Sequence, residues 1–183
     1  MARLTFNMMT SLDNYINDVN GDFNWGQIDD DVHQHANDAQ RQISLDIYGR
    51  RMYEMMVYWE TYDGGVPVEA DFADAWKSVD KLIVSKSLKS VASARTTLVA
   101  DLSIDGMRRL KAERDGAIAI SGPTLAARYL DAGLVDEVSI YYIPVVVSGG
   151  TPMFQVRNKL KLERIEERSF SNGVNFLRYR VLN

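Results

Sequence analysis

The 183-residue chain contains no cysteine. That absence removes disulfides, thiolate nucleophiles, zinc–cysteine centres and iron–sulfur clusters together. Histidine is scarce: His33 and His35 are the only two, and their spacing on a helical segment points them to roughly opposite sides. No metal site is expected. Long apolar runs are missing as well, and the start, MARLTFNMMTSLDNYI, is interrupted too often for a signal peptide or a membrane span. A cytoplasmic location and no membrane partner are therefore expected. Positive charge is not in excess. A net charge of −4 and a pI near 5.2 argue against a nucleic-acid partner, since phosphate backbones reward a broad basic face. Two nucleotide fingerprints are also lacking. No G-x-G-x-x-G follows the first strand and no G-x-x-x-x-G-K-[ST] occurs, which sets aside the common dinucleotide and P-loop folds.

What remains is the composition of an ordinary globular protein, 46% hydrophobic and 25% charged. A chain of this length can bury about two-thirds of its unfolded surface without covalent staples. Apolar patterning predicts strands at 4–11, 43–48, 81–85, 96–100, 117–121 and 138–147. Helical spacing appears in Val32, Ala36, Ala39 and Ile43, after the acidic start Asp29–Asp31, and again in Phe72, Ala73, Trp76 and Val79. It returns in Ile104, Met107 and Leu110. PTLAARYLDAG opens with proline and stops at Gly133, the usual asymmetry of a helix. The Met/aromatic block 52–59 reads as a buried helix, and 60–67 as a loop. Asn172-Gly173 between two strand patterns marks a hairpin. Alternating strands and helices imply one α/β domain over 1–183, with a mainly parallel sheet covered on both faces and an antiparallel C-terminal hairpin.

In such sheets ligands bind beyond the carboxyl ends of the strands. Three of these ends carry distinctive residues: Gly49-Arg50-Arg51, Ser85-Lys86-Ser87 and Ser121-Gly122-Pro123-Thr124. Arg50 and Arg51 pose a question. Helix starts favour anionic side chains, and each misplaced cation costs roughly 0.3–1 kcal/mol. A phosphate held between the arginines and the free N–H groups of the helix start would turn repulsion into attraction. The alternative is that both arginines are solvated surface charges.

These segments, in order, resemble the dihydrofolate reductase-like family, in particular the reductase domain at the C-terminus of RibD and its stand-alone bacterial relatives. The resemblance runs through TSLDNYI, GDFNW, GRRMYE, VSKSL, SGPTLAARYLDAGLVDE, PVVVSGG-TPMF and SNGVNFLRYR. It implies NADPH as cofactor. Gly49, Arg50 and Arg51 would hold phosphates, Ser85 and Lys86 would lie by the adenosine 2′-phosphate, and Ser121, Gly122, Pro123, Thr124 and Leu125 would meet the pyrophosphate. It also implies hydride transfer to a small heterocycle with a C=N or C=O bond, similar to the reductase step of riboflavin biosynthesis. The zinc deaminase joined to that reductase in RibD needs cysteines, so a stand-alone reductase-type domain is expected.

Asp30, five residues after Trp25 at the start of the first helix, matches the acidic position that folate-reducing relatives use for ring binding and protonation. Its ordinary role would be a helix-start charge shared with Asp29 and Asp31. Asp13, in the loop after the first strand, is a second candidate proton carrier, or a turn former. Trp25 and the Gly149-Gly150 turn are candidate substrate contacts. A homodimer is expected from the family and from the apolar run 138–147. Two other readings fit the same sequence: a nucleotide-binding or regulatory domain without turnover, and a structural dimer subunit that binds no nucleotide.

Overall fold

The structure, a computed structural model, describes residues 1–26 and 28–182. Eight strands form one sheet in the order β4-β3-β2-β5-β1-β6-β8-β7. They are β1 (Arg3–Ser11), β2 (Ile43–Gly49), β3 (Asp80–Val84), β4 (Thr96–Val99), β5 (Ala117–Ser121), β6 (Glu137–Ile143), β7 (Lys161–Ser169) and β8 (Asn175–Leu182). The first six pair in parallel; β8 runs antiparallel to β6, and β7 antiparallel to β8. The helices are α1 (Asp30–Gln40), α2 (Arg50–Met56), α3 (Pro67–Ser78), α4 (Ile104–Glu113) and α5 (Pro123–Asp131). This is the α/β architecture that the strand–helix alternation predicts.

Strand alternation sends successive side chains to opposite faces, and here both faces are buried. Leu4, Phe6, Ile118, Ile120, Val138 and Ile140 pack with Met107 of α4 and Ala126, Tyr129 and Leu130 of α5. The other face receives Tyr141, Ile143 and Phe176 against Val32 of α1. It also receives Tyr48 and Ile83 against Trp76 of α3 and Tyr53 of α2. Removing a side chain such as Phe6 or Trp76 from water stabilises the fold by about 1.5–3 kcal/mol or more. Because α1 runs back against the sheet direction, its first turn lies at the carboxyl end of the strands.

Three sequence expectations need correction. The run 138–147 is not one strand. β6 stops at Ile143 because Pro144 has no N–H for the ladder, and Val146 is exposed. β6 is also interior, between β1 and β8, so it offers no free strand edge. The Met/aromatic block is not a buried α-helix. α2 ends at Met56 and a 3-10 turn covers Val57–Thr61, with Met55 and Tyr58 exposed. Ile43 opens β2 rather than closing α1.

Candidate cofactor and substrate site

The register of the parallel ladder decides what meets at the carboxyl edge. Gly49 is opposite Val84 on β3, and Tyr48 is opposite Ser121 on β5. The three segments singled out in the sequence are therefore neighbours, at the ends of β3, β2 and β5. Arg50 bridges two of them: its Nε donates to Glu54 Oε1 at 2.7 Å and its Nη1 to Ser87 Oγ at 3.2 Å. Glu54 thus offsets one of the two misplaced cations, an exposed i,i+4 pair worth about 0.3–0.5 kcal/mol. Arg51 and Lys86 are exposed, and neither has a salt bridge among the described residues. Ser85 is turned inward on its own loop, where Oγ accepts from the N–H groups of Ser87 and Leu88.

The helix starts differ in their caps, and α3, which follows Val66, has no side-chain cap. α1 and α4 carry side-chain caps, Asp29 on Val32 N–H and Ser103 on Gly106 N–H, each worth about 1 kcal/mol. α2 and α5 begin from Gly49 and Gly122 with no side-chain cap, so their first N–H groups remain as donors. A side chain at Gly49 would meet nothing within 4 Å. Gly122 has φ +101°, a conformation reserved for glycine, and its N–H donates to Met8 Sδ at 3.4 Å. A thioether is a weak acceptor that a phosphate oxygen can replace. Pro123 is buried, Leu125 packs on the core, and Thr124 Oγ1 donates to Gln155 at 3.2 Å. Surplus cations, open glycine turns and uncapped donors fit a dinucleotide phosphate.

The neighbouring ends of β1 and β6 are closed by two loops joined to each other. Leu12 N–H donates to Val145 O, Ile16 N–H to Thr151 O, and Met153 N–H to Asn14 O. Asp13 belongs to this seam. Its carboxylate accepts from Ser148 N–H at 2.8 Å and Val147 N–H at 3.2 Å. A bond from the Ser11 side chain and these backbone bonds hold its pKa below the ordinary carboxylate value. An acid kept ionised in this way is an acceptor that positions the loop, a poor proton donor. Gly149 and Gly150 also serve the seam: a Cβ on Gly150 would overlap the Asn17 carbonyl, and one on Gly149 would press on Val19. Their backbone approach is to the 13–19 loop. Trp25 is half-buried on the α1 side with Met9 and Val145, its Nε1 donating to Asp22 O at 2.8 Å. Asp29 caps α1, and Asp30, on the first turn, is exposed. His33 meets Trp59 and Phe72 while His35 bonds Tyr141, so the two diverge as their spacing predicts.

Two contributors escaped the sequence reading. Met8 reaches Gly122, and Gln155 reaches Thr124; both depend on the lateral register of distant segments, which leaves no local signal. A concavity of about 710 Å³ opens at the opposite, amino end of the sheet, lined by residues that include Leu45, Asp80, Arg95 and Arg114. Asp80 pairs with both of those arginines, and none of the glycine turns or helix starts of the carboxyl edge is there. The edge, rather than the concavity, is the chemically equipped place.

The model of the RibD C-terminal domain matches residues 2–176. The chain belongs to the RibD C-terminal domain family. Among relatives of this family member, YyaP of Bacillus subtilis (strain 168), itself uncharacterised, is 29% identical over 182 residues, covering 94% of this chain and 91% of that protein. A provisionally named riboflavin biosynthesis protein of Shewanella sp. PV-4 superposes with a TM-score of 0.78 at 22% identity, both chains fully covered. Dihydrofolate reductase of Enterococcus faecalis, complexed with NADP(H), gives a TM-score of 0.65 at 12% identity, covering 99% and 97% of the two chains. At these identities the superpositions establish the fold, which this RibD C-terminal domain shares with both proteins.

Proposed function

We propose that this RibD C-terminal domain is an NADPH-dependent reductase acting on a small heterocycle with a C=N or C=O bond. The observation that carries the reading is the adjacency of Gly49-Arg50-Arg51, Ser85-Lys86-Ser87 and Ser121-Gly122-Pro123-Thr124 at one edge, with surplus cations and two uncapped helix starts. NADPH, when bound, supplies the hydride. The chain supplies the rest: Arg50, Arg51 and Lys86 attract the 2′-phosphate, and the turn at Gly122 with the start of α5 takes the pyrophosphate. The seam of 12–18 and 145–153 shields the ends of β1 and β6 from water. Hydride addition to carbon leaves negative charge on the attached nitrogen or oxygen, and a proton must follow. Asp30, on the exposed first turn of α1, is the proposed donor, directly or through water. A homodimer is proposed alongside, with exposed Met55 and Tyr58 as its candidate apolar contact.

A second reading keeps the cofactor and drops turnover. The commitment of Asp13 to its loop favours it, since one of two candidate acids is thereby spent. Titration of NADPH and NADH into the wild type and into Arg50→Ala/Lys86→Ala tests the first reading. Charge-assisted hydrogen bonds are worth about 1.5–3 kcal/mol each, so the double variant should lose NADPH affinity at least tenfold more than NADH affinity. Equal wild-type affinity for the two cofactors refutes the assignment. NADPH binding without NADPH consumption, across a panel of C=N and C=O heterocycles, selects the second reading.

A further inference from the structure

We infer that Met8 is a modification site: a hydroperoxide converts it to a sulfoxide that occupies the Gly122 turn and lowers affinity for NADPH. The inference rests on the reductase reading above and adds a means of regulating its cofactor site. The chain has eight methionines and no cysteine, so methionine supplies its only sulfur. Two of the eight stand at one turn. Phe6 on β1 is opposite Ile120 on β5, so two residues further on Met8 stands level with Gly122, where α5 begins. Its Sδ accepts from Gly122 N–H at 3.4 Å. From α2, Met52 Cβ lies 3.8 Å from the place that a Cβ on Gly122 would take. Met8 and Met52 are half-buried, whereas Met107 and Met153 are sealed in the core.

The Gly122 N–H is a donor that the pyrophosphate needs, and a thioether holds it weakly. Oxidation changes that balance. The sulfur lone pair attacks a peroxide oxygen, an S–O bond forms as the O–O bond breaks, and the hydrogen on the transferred oxygen passes to the departing one. The hydroperoxide leaves as an alcohol, or as water from hydrogen peroxide, reduced by two electrons as the sulfur loses two. The product carries a polar oxygen on a side chain that was apolar. Sulfur and donor are already in contact, so this oxygen lies beside the same N–H and accepts from it more strongly than the thioether did. It also sets partial negative charge and extra volume where a phosphate oxygen must go. The pyrophosphate is common to NADPH and NADH, so both should weaken by the same factor. Loss of Arg50 and Lys86, by contrast, acts through the 2′-phosphate of NADPH alone.

Treatment with hydrogen peroxide, quenched by catalase and followed by peptide mass spectrometry and titration of both cofactors, tests this. Met8 should reach its sulfoxide while Met107 and Met153 stay reduced. NADPH and NADH affinity should each fall about fivefold, the weight of one neutral hydrogen bond. Methionine sulfoxide reductases for the two epimers, with dithiothreitol, should restore both. NADPH present during exposure should slow oxidation of Met8 severalfold and leave that of Met55, exposed on α2, unchanged. Met8→Leu, a swap that conserves volume, should make cofactor affinity indifferent to peroxide. Met8→Gln, which puts an amide oxygen in place of the sulfoxide, should weaken both cofactors without any peroxide. Sulfoxide at Met8 with unchanged affinity overturns the inference, as does an equal loss in peroxide-treated Met8→Leu, or a Met8 that stays reduced while Met55 is oxidised. Those results leave the cofactor assignment standing, because the untreated protein still binds NADPH. An untreated protein that binds no NADPH removes the reductase reading and this inference together.

Discussion

Asp46 is 1% exposed in the middle of β2, and replacing it with asparagine should stabilise the protein at neutral pH. Its carboxyl accepts from Gln40 Nε2 at 2.6 Å. Burial nevertheless dominates and raises its pKa from 3.8 to about 6, against the opposing pull of Gln40, Tyr48 and Lys81. The folded protein therefore holds this proton to a higher pH than the unfolded chain does. The stabilisation is fully present below pH about 3.8 and is lost as pH rises through about 6. A shift of roughly two units corresponds to about 3 kcal/mol, of which about 2 kcal/mol falls between pH 4.5 and 8. Asparagine keeps the shape and an acceptor for Gln40 and does not titrate. Urea denaturation of the wild type and Asp46→Asn across that range should show the variant gaining on the wild type by about 2 kcal/mol. Carboxylates held below their ordinary range, such as Asp71 and Asp101, bend both curves alike and cancel in the difference. A difference that stays flat with pH, or grows toward acid, would refute the reasoning.

Gly122→Val should abolish NADPH binding, because φ +101° is strained for any L side chain and the valine would stand at the start of α5; unchanged affinity in a titration would place the phosphates elsewhere. Gly150→Ala should unzip the seam, since its Cβ overlaps the Asn17 carbonyl, and hydrogen exchange at Ile16, Thr151 and Met153 should rise; unchanged protection would show that the loops hold without it. Asp30→Asn should lower turnover by about 10²–10⁴-fold with little change in NADPH affinity, once a substrate is in hand. Full activity there, with solvent isotope effects unaltered, would give the proton role to water.

The parts of this molecule that local chemistry writes were readable in advance. Asp29–Asp31 before Val32, the proline and glycine around α5, and Asn172-Gly173 between β7 and β8 each act within a few residues. The continuous apolar strands 117–121 and 138–143 signalled burial on both faces, and hence a parallel sheet. What was missed is partly local and partly set by contacts across long separations. Pro144 ends β6 where hydrophobicity alone would continue it. Met55 and Tyr58 are exposed because α2 is short and passes into a 3-10 turn, so its apolar surplus never turns inward. At the site, Gly49, Ser85 and Ser121 could be picked out individually, but their adjacency follows from the lateral order β3-β2-β5. The loop-positioning role of Asp13 likewise waits on residues 147 and 148, more than a hundred positions away. Gly149 and Gly150 looked like room for a ligand and are room for the chain itself.

The central claim is that the ends of β3, β2 and β5 hold the phosphates of NADPH. A crystal structure of the protein with NADPH tests it most directly. The account predicts the 2′-phosphate within hydrogen-bond distance of Arg50, Arg51 or Lys86. It also predicts the pyrophosphate on the first N–H groups of α5, with the Gly122 N–H released from Met8. Phosphate density at the amino end of the sheet, beside Arg95 and Arg114, or on the α1 side next to Asp29–Asp31, would contradict it.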